Sequence, residues 1–444
     1  MTAPALKRTL GPVTLWGLGV GYVISGMYFG WNLGLPQGGA LGLAIATLFI
    51  IAMYITFTFC YTEMACAIPK AGGAFEYANR GLGRNWGFLA GMAQNIEFIF
   101  APPAIAFAIG AYLGTYFPDV GVTPIAIVAY LIFTTINIIG VRMAAVFELV
   151  ITVIAVFELL LFTGLTIPHV EMANFAINPL PNGIPGIFAA IPFAIWFFLA
   201  IEGVANVAEE TVNPQRNVLI GFGSALLTLV VLCLLVFFCA VGVNGWETAV
   251  FAPGTTDAKD TPLVLVLSHV LGENSPFVHL LIGIGIFGLV ASFHGILLAG
   301  GRTTFEFGRV GYLPKVVAYV HPKLKTPIVA LLVNTAIGVV ALLTGKTAEL
   351  ITMACFGAIS LYAISMVAFL ALRKNEPTLE RPYRVGFGKA FPWTALVIAL
   401  VALAAMTWYN QMVAAIFYAI MGGSFALFMA ARALRKQPLA TESA

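Results

Sequence analysis

The sequence predicts an all-α polytopic membrane protein of about twelve transmembrane helices, and three observations carry that prediction. Of 444 residues, 60% are hydrophobic and only 9% are charged, against roughly a quarter charged in a soluble domain. The apolar residues fall in continuous runs rather than in alternation, which selects helices over a barrel. The cationic residues collect between alternate runs. A net charge of +3 is too small to hold a polyanion, so nucleic acid is excluded as a partner and membrane lipid is the natural environment.

The runs lie at residues 11–36, 41–67, 86–117, 123–139 and 147–167, then 184–209, 219–243, 277–301, 327–344 and 350–372, and finally 393–408 and 412–431. Most are close to the ~20 residues that cross a hydrocarbon core. The Lys and Arg residues test each boundary in turn. Lys7 and Arg8 precede the first run. Lys70, Arg80 and Arg84 separate the second and third, and Arg142 the fourth and fifth. Arg216 follows the sixth, and Arg302, Arg309, Lys315, Lys323 and Lys325 follow the eighth. Arg373, Lys374, Arg381, Arg384 and Lys389 follow the tenth, and Arg432, Arg435 and Lys436 end the twelfth. Of the 22 Lys and Arg, only Lys259 and Lys346 fall on the opposite side. The positive-inside rule therefore places both termini in the cytoplasm, with an even number of spans.

The longest polar stretches, 244–276, 308–326 and 373–392, are too short to bury cores of their own, and no phosphate-binding Gly-rich loop is present. Neither an ATP-driven pump nor an attached enzyme is expected. The scattered histidines (His169, His269, His279, His294, His321) supply no nucleophile–base pair or metal cluster, so no metal, cofactor or catalytic residue is expected. Cys60, Cys66, Cys233, Cys239 and Cys355 all lie in apolar runs and read as structural thiols. The first 30 residues lack a cleavable signal, so the first span is expected to serve as its own insertion signal. The outer loops carry Asp119, Glu171, Glu247, Asp257, Asp260, Glu273 and Glu349, which read as solvated.

Two spans are interrupted at mid-membrane depth. The first carries Gly17, Gly19, Gly21, Ser25, Gly26 and Gly30, and the sixth carries Glu202 beside Gly203. Glycine destabilises a helix by about 1 kcal/mol relative to alanine and permits unwinding. Matching interruptions five spans apart point to an inverted-repeat transporter, with free backbone groups offered to a ligand near the midplane.

Four motifs carry a family resemblance. They are Val23-Ile-Ser-Gly-Met-Tyr-Phe-Gly-Trp-Asn-Leu-Gly-Leu35; Glu63 with Ile68-Pro-Lys-Ala-Gly-Gly-Ala-Phe-Glu-Tyr77; Glu97-Phe-Ile-Phe-Ala-Pro-Pro103; and Ala200-Ile-Glu-Gly-Val-Ala-Asn-Val-Ala-Glu-Glu-Thr-Val-Asn-Pro214. On these the chain resembles the amino acid–polyamine–organocation superfamily and, within it, the ethanolamine permeases. The resemblance implies a five-plus-five inverted repeat of the leucine-transporter type with helices 1 and 6 broken. The repeats would span about 11–167 and 184–372, with two extra helices over 393–431. It implies secondary transport in a bacterial-type cytoplasmic membrane.

A charge inside the bilayer needs a reason. Glu97, Glu148, Glu158 and Glu202 fall within spans, and no Lys or Arg is centrally placed. The embedded charge suits a cationic ligand or protons. Glu202 is the leading ammonium ligand. Ser25, Gly26, Met27, Tyr28, Trp31, Gln94, Glu97, Trp196, Phe198, Ala200 and Phe293 complete the candidate substrate site, with aromatics available for a cation–π box. Glu158, Glu202 and His294 are the proton-coupling candidates. Ser292 could join Ser25 and first-span carbonyls around sodium, the less favoured coupling ion. Where some proton-coupled relatives carry a Lys in the fifth span, this chain has Ala155. Glu148 reads as an interfacial partner of Arg142. Glu209, Glu210 and Arg216 cap the sixth span and could pair with Lys70, Arg80 or Arg302 in one gating state. Import of a small cationic amine, most simply ethanolamine, by proton-coupled alternating access is the expected function. A neutral amino acid on the same framework is the alternative, and a non-transporting sensor a remote one. Nothing in the sequence selects between monomer and dimer.

Overall fold

The computed structural model describes residues 8–70, 72–139 and 144–436. Lys7 and Arg142 of the cationic set lie outside the described residues, as do the two chain ends. In chain order the helices are α1 (Pro12–Val23), α2 (Ser25–Tyr28), α3 (Leu35–Ala67), α4 (Ala74–Leu82), α5 (Arg84–Gly114), α6 (Val122–Ile139), α7 (Ala144–Thr166) and α8 (Gly183–Ala189). They continue as α9 (Ile191–Trp196), α10 (Pro214–Gly242), α11 (Pro262–Leu271), α12 (Pro276–Arg309), α13 (Ile328–Leu342), α14 (Thr347–Asn375), α15 (Ala390–Tyr409) and α16 (Gln411–Lys436). Among the described residues, 10 helices are long and apolar enough to cross a membrane. The first and ninth sequence runs correspond to the shorter helices α1–α2 and α13.

Proline sets many of the starts. It occupies the first turn of α1, α3, α9, α10, α11 and α12, where its missing N–H costs nothing. The expected sixth run at 184–209 divides. Its first residues form the separate helix α8, and the spanning segment begins at Ile191 and runs to Glu210. Between the second and third runs Gly73 turns with φ 50° and α4 follows at once. The first two spans meet at a kink in α3, where Gly39 has φ 65°.

The broken helices are central. α1 lies against α7, α10 and α12, and α5 lies against α12 and α14. One end of the bundle gathers the cations. Glu63, 1% exposed, accepts from Arg373 Nε at 3.0 Å and Nη2 at 2.6 Å, from the Val385 N–H at 2.8 Å, and lies 3.3 Å from Arg381 Nε. A buried carboxylate is tolerated when two guanidinium groups and an N–H satisfy it. The cluster pins the connection between α14 and α15. At the same end Arg80 forms a bidentate pair with Glu376 at 2.9 and 2.6 Å, an exposed contact worth little to stability.

Candidate functional site

The first break is held open by a side chain. The Ser292 hydroxyl of α12 donates to the Gly21 carbonyl at 2.7 Å and accepts from the Ser25 N–H at 3.0 Å. It thereby occupies the place of the Ser25-to-Gly21 hydrogen bond that an unbroken helix would make. Ser25, Gly26 and Met27 are not themselves unwound, as the sequence suggested; they lie in the single turn α2. The backbone leaves the helix at Phe29, which is extended, and at Gly30, whose φ of 87° needs glycine.

The second break lies at 197–200, just before Glu202 rather than at Glu202–Gly203. Ala200 takes a left-handed φ of 73°, and Ile201–Glu210 continues as a 3₁₀ segment. A left-handed alanine costs roughly 1–2 kcal/mol. Its N–H is held by Glu97 Oε1 at 3.1 Å, a hydrogen bond that offsets part of the strain. The two breaks touch: a Cβ on Gly26 would sit 2.5 Å from the Trp196 carbonyl oxygen and 3.1 Å from Phe197 Cα.

Beside the second break the carboxyls of Glu97 and Glu202 lie against one another, both fully buried. Tyr362 of α14 donates to Glu202 Oε2 at 2.7 Å, and Tyr54 stands 3.4 Å from the Tyr362 oxygen. Among the described residues, Glu97 Oε2 and Glu202 Oε1 have no partner outside this acid pair, and both amide atoms of Gln94 have none at all. A buried amide left unpaired in this way costs about 1–3 kcal/mol. Two adjacent carboxylates in a low-dielectric interior repel strongly, so the pair needs a proton or an organic cation between them. A hydroxyl-bearing ligand would find donor and acceptor together on Gln94, one helical turn from Glu97.

Two further buried acids touch the first broken helix. Glu158 accepts from the Tyr28 hydroxyl, while Tyr112 donates to the Tyr28 carbonyl at 3.0 Å. Glu148 is 2% exposed, and its Oε2 lies 3.7 Å from His294 Nδ1. A Cβ on Gly21 would meet Glu148 Oε1 at 2.5 Å, so this acid–imidazole pair abuts α1 directly. Its expected partner Arg142 lies outside the described residues.

The aromatic candidates divide. Phe198 packs on Tyr54 with ring centroids 5.2 Å apart and so borders the acid pair. Trp196 donates its indole N–H to the Phe29 carbonyl at 3.0 Å, and Trp31 donates to Met27 at 3.2 Å while stacking on Phe197. These indoles knit the breaks together. Phe293 packs edge-on against Tyr130 and Phe133 of α6, away from the acids. Tyr362 and Tyr54 were missed; nothing local distinguishes a tyrosine that meets a buried acid from a packing one.

Both ends of this centre are closed. At the basic end, Thr9 and Leu10 donate their N–H groups to the Glu210 carbonyl at 2.8 and 3.0 Å, and Val212 donates to Leu10 at 2.9 Å. Arg302 reaches Glu210 Oε1 at 3.1 Å, one of the pairs anticipated for a gating state. At the other end Asn32 fastens the loop before α11, donating to the Lys259 carbonyl at 2.8 Å. The neighbouring Asp260 accepts from Thr347 at 2.9 Å. Burial pushes the Asp260 carboxyl up to about 6, against the opposing pull of that hydrogen bond.

The family model for amino acid permeases matches residues 15–432. The chain is 28% identical to the methylthioribose transporter of Bacillus subtilis (strain 168), covering 91% of this chain and 90% of that one. It is 26% identical to the branched-chain amino acid permease BcaP of the same organism, over 91% and 89%. It is also 26% identical to the human large neutral amino acids transporter small subunit 2, over 94% and 79%.

Proposed function

The chain belongs to the amino acid permease family, a family of transporters rather than enzymes, and from that premise we propose that it imports a small organic amine. Ethanolamine is the simplest such substrate. The observation that carries this reading is the buried Glu97–Glu202 pair, with one oxygen on each residue unpartnered outside the pair. An ammonium group between them replaces the shared proton, and Gln94 takes the hydroxyl. Phe198 and Tyr54 wall the site. The Ser25 N–H, which a substrate carboxylate would need, is already donated to Ser292.

A neutral amino acid is the second reading, favoured by the names of the branched-chain and large neutral amino acid relatives. It requires Ser292 to release the Ser25 N–H.

Alternating access then works between the two closures. In this reading the basic end faces the cytoplasm, both termini lie there, and the membrane is of the bacterial cytoplasmic type. The repeats run over about 11–167 and 184–372. Opening inward separates Leu10 from Thr211 and Arg302 from Glu210; opening outward releases the loop held by Asn32. Coupling is to protons, with Glu202 exchanging its proton for substrate. Glu158 on Tyr28 and His294 with Glu148 on α1 are placed to sense the same movement; sodium is the lesser alternative. One-for-one exchange moves no net charge, so the potential, worth about 2.3 kcal/mol per 100 mV to a monovalent cation, drives entry only when the amine crosses without a returning proton.

Uptake into proteoliposomes under separately imposed pH, sodium and voltage gradients tests the proposal. Labelled ethanolamine is expected to enter, to be driven at clamped voltage by an acidic vesicle interior because the site trades one proton for one amine, and to be displaced by amines in preference to valine. Uptake of valine with no competition by ethanolamine would establish the second reading instead.

A further inference from the structure

At the basic end, two antiparallel helices each present an arginine and, one turn on, a phenylalanine to a lateral groove. Along α5 the sequence places Arg84, Phe88 and Met92 at successive turns. Along α16 it places Arg432, Phe428 and Ser424 at successive turns in the opposite direction. All six line one cleft of about 720 Å³, closed on its far side by residues 311–314. Phe88 and Phe428 stack with centroids 4.4 Å apart and planes 11° from parallel, forming its floor. Arg84 lies over the rings of Tyr312 and Phe428 at 5.5 and 5.9 Å, and Arg432 donates to a neutral group, the side-chain amide oxygen of Asn85, at 3.1 Å. Among the described residues neither arginine has a carboxylate within 4.0 Å, whereas Arg80, Arg302, Arg309 and Arg373 all do.

The groove thus has two uncompensated guanidinium groups at its mouth and an aromatic, apolar channel running away from them along the helix axes. Leu427 on its lip is 73% exposed. The N–H groups at the start of α5 add positive potential at the same level.

We propose that this groove binds an anionic phospholipid of the inner leaflet, its phosphate bridged by Arg84 and Arg432 and one acyl chain lying over Phe88 and Phe428 toward Met92. The orientation follows from placing the basic end in the cytoplasm. Planar guanidinium groups suit phosphate oxygens, and basic clefts between helices on the cytoplasmic side are where anionic headgroups are held. A zwitterionic lipid places an ammonium group beside the same arginines and is disfavoured. Because α16 packs on α5, and α5 carries Glu97, an occupied groove braces the helix that bears the central acid.

The test is lipid retention, which is read independently of transport. The full chain is reconstituted into nanodiscs of equal phosphatidylglycerol and phosphatidylcholine, extracted gently, and weighed by native mass spectrometry. Wild type is expected to retain phosphatidylglycerol over phosphatidylcholine, and Arg84→Gln with Arg432→Gln to lose about five-fold of that preference per arginine. Ser424→Trp, which fills the cleft and keeps both arginines, is expected to lose bound lipid as well, and covers the case in which the double variant fails to fold. Equal retention of the two lipids by wild type would overturn the proposal, as would an unchanged preference in Ser424→Trp. Displacement of the lipid by millimolar inorganic phosphate would reassign the arginines to a free anion.

Discussion

At the level of single residues the account rests on carboxyls deprived of water. Glu202 receives a hydrogen bond from Tyr362 and has one oxygen with no partner outside the acid pair. Glu202→Gln keeps the shape and removes the charge that an ammonium would meet. It is expected to weaken amine affinity about a hundred-fold and to flatten the pH dependence of uptake. Tyr362→Phe deletes only the supporting hydrogen bond, worth about 1 kcal/mol, and is expected to raise KM about five-fold with the pH profile retained. Concentration series in proteoliposomes at several pH values separate the two effects, and equal losses in both variants would mean that Glu202 is merely structural. The acids were legible in the sequence because four glutamates stand out in a nearly uncharged interior. Their partners were not. Tyr362 and Tyr54 come from α14 and α3 and meet the acids only after folding. Likewise His294 was visible as a candidate, but its companion Glu148 was assigned to Arg142 by proximity along the chain.

The helices carry the second layer of the argument. Sequence pattern marked helices 1 and 6 as interrupted, and both are: the first departs from helix at residues the pattern named, between Gly21 and Ser25 and at Gly30, and the second at Ala200, just before the Glu202–Gly203 pair. Glycines raise the chance of unwinding over a whole segment, whereas the actual departure is set by tertiary hydrogen bonds. Ser292 inserts between Gly21 and Ser25, and Glu97 draws Ala200 into a left-handed conformation at a position without glycine. The role of Gly26 lies in contact rather than bending, since its missing side chain admits the Trp196–Phe197 backbone. Gly26→Ala places a methyl 2.5 Å from a carbonyl oxygen and must separate the two breaks at a cost of about 1–3 kcal/mol. Transport is expected to fall at least about ten-fold while the protein still inserts and purifies. A normal uptake rate in this variant would show that the two breaks need not touch.

Across the whole molecule, the gathering of Lys and Arg between alternate apolar runs is legible in the sequence, because charge at an interface depends on little beyond the local sequence. The clamps at the two ends were only partly legible. The Arg302–Glu210 pair was among those anticipated, but Asn32 holding the loop at Lys259 depends on contact between distant segments. That loop also carries a pH response. Asp260 is held in its protonated form up to about 6, above the ordinary 3.8 of an exposed aspartate. The closed loop therefore binds the proton more tightly than the open one. Closure is fully favoured below about 4 and weakens as pH rises through about 6. Amide exchange across residues 249–261, corrected for intrinsic rates, is expected to increase between pH 5 and 7.5 in wild type and to stay level in Asp260→Asn. A wild-type profile as level as the variant's would remove Asp260 from the closing of the outer end.

Proton release on substrate binding tests the central claim most directly, since the Glu97–Glu202 pair is held to trade a shared proton for an organic cation. Calorimetric titration of the purified protein with ethanolamine, in two buffers of different ionisation enthalpy at one pH, measures that release. Wild type is expected to release close to one proton per amine bound, and Glu202→Gln to bind weakly with release close to zero. Tight binding of ethanolamine with no proton released, unchanged by Glu202→Gln, would contradict the account.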